Sequence, residues 1–162
     1  MGDKEDRVAF AAKCLGAAVR GSYNTVSRRV YALVARPRRR NGIAMLLKML
    51  RAKIHRATIT EACVDYVGSI TIDRDLLEAA SMLPGECVLV ADLTDGQRFE
   101  TYVMEGPAGS GVICINGAAA RLVDEGDKII IMAYGYVESD EAKTLRPKVV
   151  LVNEQNRITE VR

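Results

Sequence analysis

Turn signals cut this chain so often that it has little room for long helices. Downstream of Met45, Pro84-Gly85, Asp95-Gly96, Asn116-Gly117 and Glu125-Gly126-Asp127 interrupt one apolar stretch after another. Proline presets one turn torsion, and Gly, Asn and Asp tolerate the positive φ of tight turns. The pieces between them are short and rich in Val, Ile and Tyr, as strands are. Strands are expected over residues 46–60, 61–66, 70–72, 87–91, 98–104, 112–115, 128–137 and 148–152, the last of these closing the fold. The one substantial helical pattern follows Asp73, a good N-cap. Over residues 74–82 it sets Leu76, Leu77 and Ala80 on one face. Residues 118–122 and 139–143 read as short helical turns. Many short strands with only short helices imply a mainly β fold, a small closed barrel.

The charge is unevenly placed. Residues 1–44 hold ten Lys/Arg against three Asp/Glu, and residues 45–162 hold thirteen against eighteen, so an arm of +7 precedes a body of −5. A single barrel domain is therefore expected over 45–162. Residues 1–44 are expected to be a basic extension, either poorly ordered or upstream of a true start at Met45. A secretory signal is not expected, since Met1 to Arg7 is net negative and Lys13 interrupts the apolar stretch. No apolar run approaches the ~20 residues of a membrane span. Cys14, Cys63, Cys87 and Cys114 form no CxxC pair, which argues against a zinc knuckle. Cys87 and Cys114 sit in apolar runs and read as small core residues in a reducing cytoplasm.

Several motifs stand out in order: Lys53-Ile54-His55-Arg56, Tyr66-Val67-Gly68-Ser69, Asp95-Gly96-Gln97-Arg98-Phe99-Glu100-Thr101-Tyr102 and Asn116-Gly117-Ala118-Ala119-Ala120. Singly they have ordinary explanations. Arg98 is a hairpin charge, His55 a structural histidine, Tyr66 and Tyr102 core residues with a satisfied hydroxyl, and Asn116-Gly117 a turn. Gly68-Ser69 has two counterparts, Gly21-Ser22 and Gly109-Ser110, which are not expected to react.

Together, and with Gly126-Asp127 and Arg146-Pro147 also in order, these motifs resemble the pyruvoyl-dependent aspartate decarboxylase family from Met45 to about Ile158. Ala91 stands where some members carry tryptophan. The resemblance implies a double-psi β-barrel, a homotetramer with active sites between neighbouring subunits, and self-cleavage between Gly68 and Ser69. Ser69 would become a pyruvoyl group, the one cofactor expected, with no metal and no pyridoxal phosphate. The implied activity is decarboxylation of L-aspartate at its α-carboxylate to β-alanine and CO2, for pantothenate and coenzyme A synthesis in the cytoplasm. A maturation factor assisting the cut is admitted as a further partner.

The residue types suit that chemistry. Ser69 Oγ is both nucleophile and leaving group, and Gly68 has no Cβ to block its approach. Thr101 is the expected donor to the oxyanion, and Tyr102 the general acid that reprotonates the substrate carbon. Arg98 offers a fork for a carboxylate, Lys53 adds positive charge, and His55 orients groups or relays protons. Asn116, Gly117, Ala118 and Ala119 let backbone N–H groups approach the ligand, and Tyr66 bonds near the cut. Thr101 and Tyr102 are neighbours on a strand and so face opposite ways, which implies a local twist or a subunit boundary.

Two other readings stand beside this one. A non-enzymatic barrel could bind nucleic acid through the basic arm, against which count the acidic body and the lack of tryptophan. The same site could also take another small acidic amino acid.

Overall fold

The structure, a computed structural model, describes residues 45–162. The chain divides into two units between Gly42 and Ile43, and all described residues belong to the second. The expectations for residues 1–44, including a role in nucleic-acid binding, lie outside the described residues.

The domain is mainly β, as expected. Its elements run β1 (Leu46–Thr58), β2 (Glu61–Cys63), β3 (Ser69–Asp73), α1 (Arg74–Ala80), β4 (Cys87–Asp92), β5 (Arg98–Gly106), β6 (Ile113–Asn116), a 3-10 turn (Gly117–Leu122), β7 (Lys128–Glu138), α2 (Ser139–Ala142), β8 (Lys148–Val152) and β9 (Ile158–Val161). The hydrogen-bonded order is β2-β6-β3-β5-β4-β7-β1-β8-β9. Three pairings are parallel: β1 with β8, β2 with β6 and β3 with β5. A meander of hairpins could not give them, because parallel neighbours need crossover connections. Crossed connections are also what a double-psi barrel calls for. Beyond β1, Ile59 N donates to Asp127 O at 2.9 Å and Thr60 N to Ile113 O at 2.8 Å. This short segment joins the β7 side of the sheet to β6, so the sheet curls back on itself.

The enclosed core is dominated by isoleucine. Ile54, Ile70, Ile72, Ile113, Ile115 and Ile131 are all 0% exposed, and burying each contributes roughly 1.5–3 kcal/mol. Four of the six lie on β3 and β6, so this ladder is fixed from inside. Asp73 ends β3 and caps α1 by accepting from Asp75 N at 2.9 Å. The same buried carboxylate accepts from Gly109 N at 3.0 Å and Gly111 N at 2.6 Å. It thereby ties the end of β3 to the loop before β6. Arg51 of β1 forms a bidentate pair with the Glu86 carboxylate and donates to Ser81 O, holding the 81–86 loop against β1.

Four expectations need correction. The strand expected over 61–66 stops at Cys63, and residues 64–68 form bends. The helix expected over 74–82 ends at Ala80, because Ser81 turns left-handed at φ 53°. Cys87 is exposed, unlike Cys114, because β4 presents its first residue outward while Val88 and Val90 face the core. Residues 148–152 are not the last strand. β9 pairs antiparallel with β8, and its four exposed residues give no hydrophobic alternation to read.

Asn156 holds this last hairpin to the barrel. It is 2% exposed with φ 55°, a left-handed conformation that asparagine tolerates. Its Oδ1 accepts from Thr58 N at 2.7 Å, and its Nδ2 donates to Thr58 O at 2.8 Å and Gly111 O at 2.7 Å. Asn156→Ala removes the partner of three backbone groups, the Gly111 oxygen buried and the two of Thr58 half-buried. We expect it to destabilise the domain by roughly 2–4 kcal/mol in urea unfolding. A loss below about 0.5 kcal/mol, the range of ordinary surface changes, would remove this clamp from the account.

Candidate active site

The backbone at residue 69 is under strain. Gly68 has φ 90° and Ser69 φ 116°. Glycine adopts such values freely, but a serine there costs of order 1–3 kcal/mol and persists only where the surroundings impose it. Ser69 begins β3, is 1% exposed, and stands opposite Asn116 at the end of β6. On its upstream side the chain leaves the barrel at once, with Val67 90% exposed.

Gly117 explains how the link is held. It has φ 68°, and a methyl group placed on it would lie 2.8 Å from Gly68 Cα, 2.9 Å from Gly68 N and 3.0 Å from Tyr66 O. The 66–68 segment therefore rests directly on the turn after Asn116, in space that any side chain would fill. In that turn Ala118 is exposed, Ala119 half-buried and Ala120 buried.

Two side chains reach the Gly68–Ser69 link. Asn116, 4% exposed, donates from Nδ2 to Ser69 Oγ at 3.0 Å and to Thr71 Oγ1 at 3.1 Å. Its Oδ1 accepts from the Cys114 thiol at 3.3 Å. From the other side, the Tyr102 hydroxyl donates to the Gly68 carbonyl oxygen at 3.4 Å, a long contact. The attacking oxygen and the carbonyl oxygen of one peptide link thus each face a donor. β5 pairs with β4 from Arg98 to Tyr102 and with β3 from Val103 onward. Tyr102 sits at that change of partner, where the sequence called for a twist or boundary. Thr101 is half-buried opposite Val88. Among the described residues, no hydrogen bond joins its hydroxyl to residue 68 or 69. A cleft of about 500 Å³ opens beside the link, walled by Tyr66, Val67, Pro84, Gly85, Tyr102 and Met104 among others.

The remaining expected residues stand apart. Lys53 and His55 lie on β1, opposite Met132 and Ile130 of β7. Three strands separate β1 from β3 in the sheet order. Both side chains are half-buried, and His55 Nδ1 is buried with no hydrogen-bond partner. Burial, with the charges of Lys53 and Arg56 beside it, lowers the His55 pKa below 6.5, so the ring is neutral at pH 7. Arg56 carries φ 64° at a register shift between His55 and Ala57. Arg98 is exposed and donates to Gly96 O at 3.0 Å, within its own hairpin. Among the described residues no hydrogen bond or ion pair links Lys53, His55 or Arg98 to the Ser69 cluster.

Sequence reasoning missed Thr71 and the polar role of Cys114. The signal was available in the period of a strand. Residues two apart share a face, so Thr71 follows Ser69 and Cys114 precedes Asn116. The pairing of β3 with β6 was not available, and it places Thr71 opposite Cys114.

Comparison with known proteins agrees with the motif order. A family model described as aspartate decarboxylase matches residues 45–159. The aspartate 1-decarboxylase of Pelotomaculum thermopropionicum is 58% identical over 118 residues, 73% of this chain and 89% of that protein. That of Acetivibrio thermocellus is 58% identical over 118 residues, covering 73% and 94%. Among solved structures, the rationally designed protein mkDPBB_sym_86 matches at 19% identity and a TM-score of 0.38, over 55% of this chain and 97% of its own. That likeness is too loose to argue from, whereas the sequence matches span the described domain nearly end to end. The chain belongs to the aspartate decarboxylase family.

Proposed function

We propose that this chain cuts itself between Gly68 and Ser69 and, with the pyruvoyl group so formed, decarboxylates L-aspartate to β-alanine and CO2. The observation that carries this reading is the Gly68–Ser69 link itself. Its serine is held in a strained conformation, and its nucleophile and its carbonyl oxygen each face a donor.

The cut follows from that geometry. Ser69 Oγ attacks the Gly68 carbonyl carbon. The C–N bond breaks, a C–O ester forms, and the hydroxyl proton passes to the Ser69 nitrogen. The N–H of Asn116 stabilises charge on Oγ as the hydroxyl proton leaves, and the Tyr102 hydroxyl is the donor nearest the oxyanion that the attack creates. Thr101, expected to supply that contact, stands one residue earlier. Loss of the Ser69 α-proton then breaks the Cβ–O bond. Gly68 leaves as a carboxylate, and residue 69 remains as dehydroalanine. Water adds and ammonia departs, giving the ketone. Buried Ser69 fits this product, because a ketone formed there is shielded from bulk water.

The pyruvoyl group supplies an electron sink for the electrons left when the α-carboxylate departs. The chain's own residues do the rest. Tyr102, already at the cut, lies within reach to return a proton to the substrate carbon. Arg98 binds one aspartate carboxylate and Lys53 adds positive charge for the second. His55 presents a neutral ring that can accept or relay a proton. Tyr66 lines the entrance, and the turn from Asn116 to Ala119 approaches the ligand with its backbone. Because one chain does not join Arg98, Lys53 or His55 to Ser69, we assign the complete site to neighbouring copies in a homotetramer. A double-psi barrel suits the crossed pairings. Cys63, Cys87 and Cys114 are free, which suits the cytoplasm, where β-alanine would enter pantothenate synthesis.

Four measurements test these assignments. Intact-mass analysis of the purified protein should give two fragments, ending at Gly68 and beginning at residue 69, the second without a free amine. Ser69→Ala should stay whole and form no β-alanine; full activity in that variant would sink the reading. Gly117→Ala puts a methyl group against Gly68, and we expect it to slow the cut at least tenfold while the domain stays folded. His55 is the one histidine of the chain, so its NMR titration is unambiguous. The midpoint should fall below 6.5. The unfolded chain then takes up the proton first, so His55 costs stability as the pH falls through 6.5 and nothing above it. A midpoint above 6.5 would contradict the burial described here.

A further inference from the structure

The face of the β3/β6 ladder that carries Ser69 carries three more polar side chains. In the antiparallel register Ser69 stands opposite Asn116, and Thr71 opposite Cys114. The four are joined through Asn116: its Nδ2 gives one proton to Ser69 Oγ and the other to Thr71 Oγ1, and its Oδ1 takes the Cys114 proton. All of the amide's usual bonding directions but one are thereby used.

We propose that Thr71 and Cys114 are positioning residues for the self-cleavage at Ser69, acting by fixing which end of the Asn116 amide faces the nucleophile. This rests on the self-cleavage reading above. A carboxamide can be reversed by a half-turn about its last bond, which exchanges donor for acceptor at nearly the same place. Reversed, Asn116 would accept from Ser69 Oγ. The serine proton would then be directed at the amide oxygen and away from the Ser69 nitrogen that must receive it, and no donor would face Oγ as that proton leaves. As it stands, the amide donates to Oγ and leaves the hydroxyl proton free to depart.

Two contacts select the productive orientation. The Cys114 thiol is buried, and desolvation, with Glu61 adding negative charge, raises its pKa to about 11. It therefore stays a protonated donor near neutral pH and prefers the amide oxygen. Of its backbone and amide acceptors, Ile115 O lies at 4.0 Å against 3.3 Å for Asn116 Oδ1, while the Glu61 carboxylate across the β2/β6 pairing also bonds the thiol and competes for its proton. Thr71 gives the second amide proton an acceptor on the same side as Ser69, so the nitrogen is satisfied twice there. Bonds among side chains shielded from water hold more firmly than the same bonds in solvent.

The test compares shape with bonding. Cys114→Val and Thr71→Val keep near-native volume but remove the donor and the acceptor. Cys114→Ser and Thr71→Ser keep the hydroxyl or its equivalent at smaller volume. Cleavage is followed by intact mass from the time of synthesis, with thermal unfolding recorded for every variant. We expect the serine variants to cut within about threefold of the wild-type rate and each valine variant to cut at least tenfold more slowly while remaining folded. Cys114→Ala serves where valine disturbs packing, with the same slowing expected. Valine variants that cut at the wild-type rate would overturn the positioning role. So would the reverse order, valine fast and serine slow, which marks simple packing. A wild-type chain that never cuts would instead overturn the self-cleavage reading, and this proposal with it.

Discussion

The pairing of β3 with β6 is the constraint on which the site depends. It sets a serine with φ 116° directly opposite an asparagine whose amide bonds the serine oxygen. Register in a buried ladder is not negotiable, since a slip of one residue would turn every core side chain outward. Ile70 and Ile72 on one strand, and Ile113 and Ile115 on the other, are wholly buried. Alternation then sends Ser69, Thr71, Cys114 and Asn116 to the opposite face. The apolar residues fix the register, and the register assembles the polar cluster.

Strain at one position needs rigidity around it. Downstream, β3 is held by ladders on both sides and by the Asp73 carboxylate with its three backbone donors. Upstream, the chain lies on Gly117, whose missing side chain admits it. The unfavourable torsion therefore cannot relax without disturbing one of these anchors, which is the condition for a residue to persist in such a conformation.

Much of this was legible in the sequence. The turn residues located breaks between elements and the β4/β5 hairpin, Asp73 announced its helix, and the order of the motifs pointed to the family and to Ser69. What escaped was set by distant parts of the chain. Residues 64–66 alternate like a strand but find no partner. Cys87 sits in an apolar run yet faces outward at the start of β4. β9 exists because β8 offers it an edge, and its own residues carry no core pattern. Thr71 looked like filler because it matters only beside Asn116, 45 positions away in the sequence, and Cys114 because the asparagine two residues on meets Ser69 only across the β3/β6 ladder. Arg98, Lys53 and His55 were named by motif, and the fold of one chain does not bring them to the serine.

On the proposed reading, the strain at residue 69 also has a direction. Its φ is the torsion about the bond from the Ser69 nitrogen to its Cα, and it exists as a constraint only while that nitrogen is tied to Gly68. The acyl shift unties it, and loss of ammonia removes the nitrogen altogether. A cost of order 1–3 kcal/mol borne by the intact chain is therefore absent from every later state. The ladder, the Asp73 anchor and the isoleucine core remain as they were. Such strain accelerates the first step and opposes its reversal, but contributes nothing to turnover afterwards. On the same reading, specificity for the substrate comes from charge and shape, for which the proposed sources are the Arg98 fork, Lys53 and the backbone of the turn that Gly117 opens.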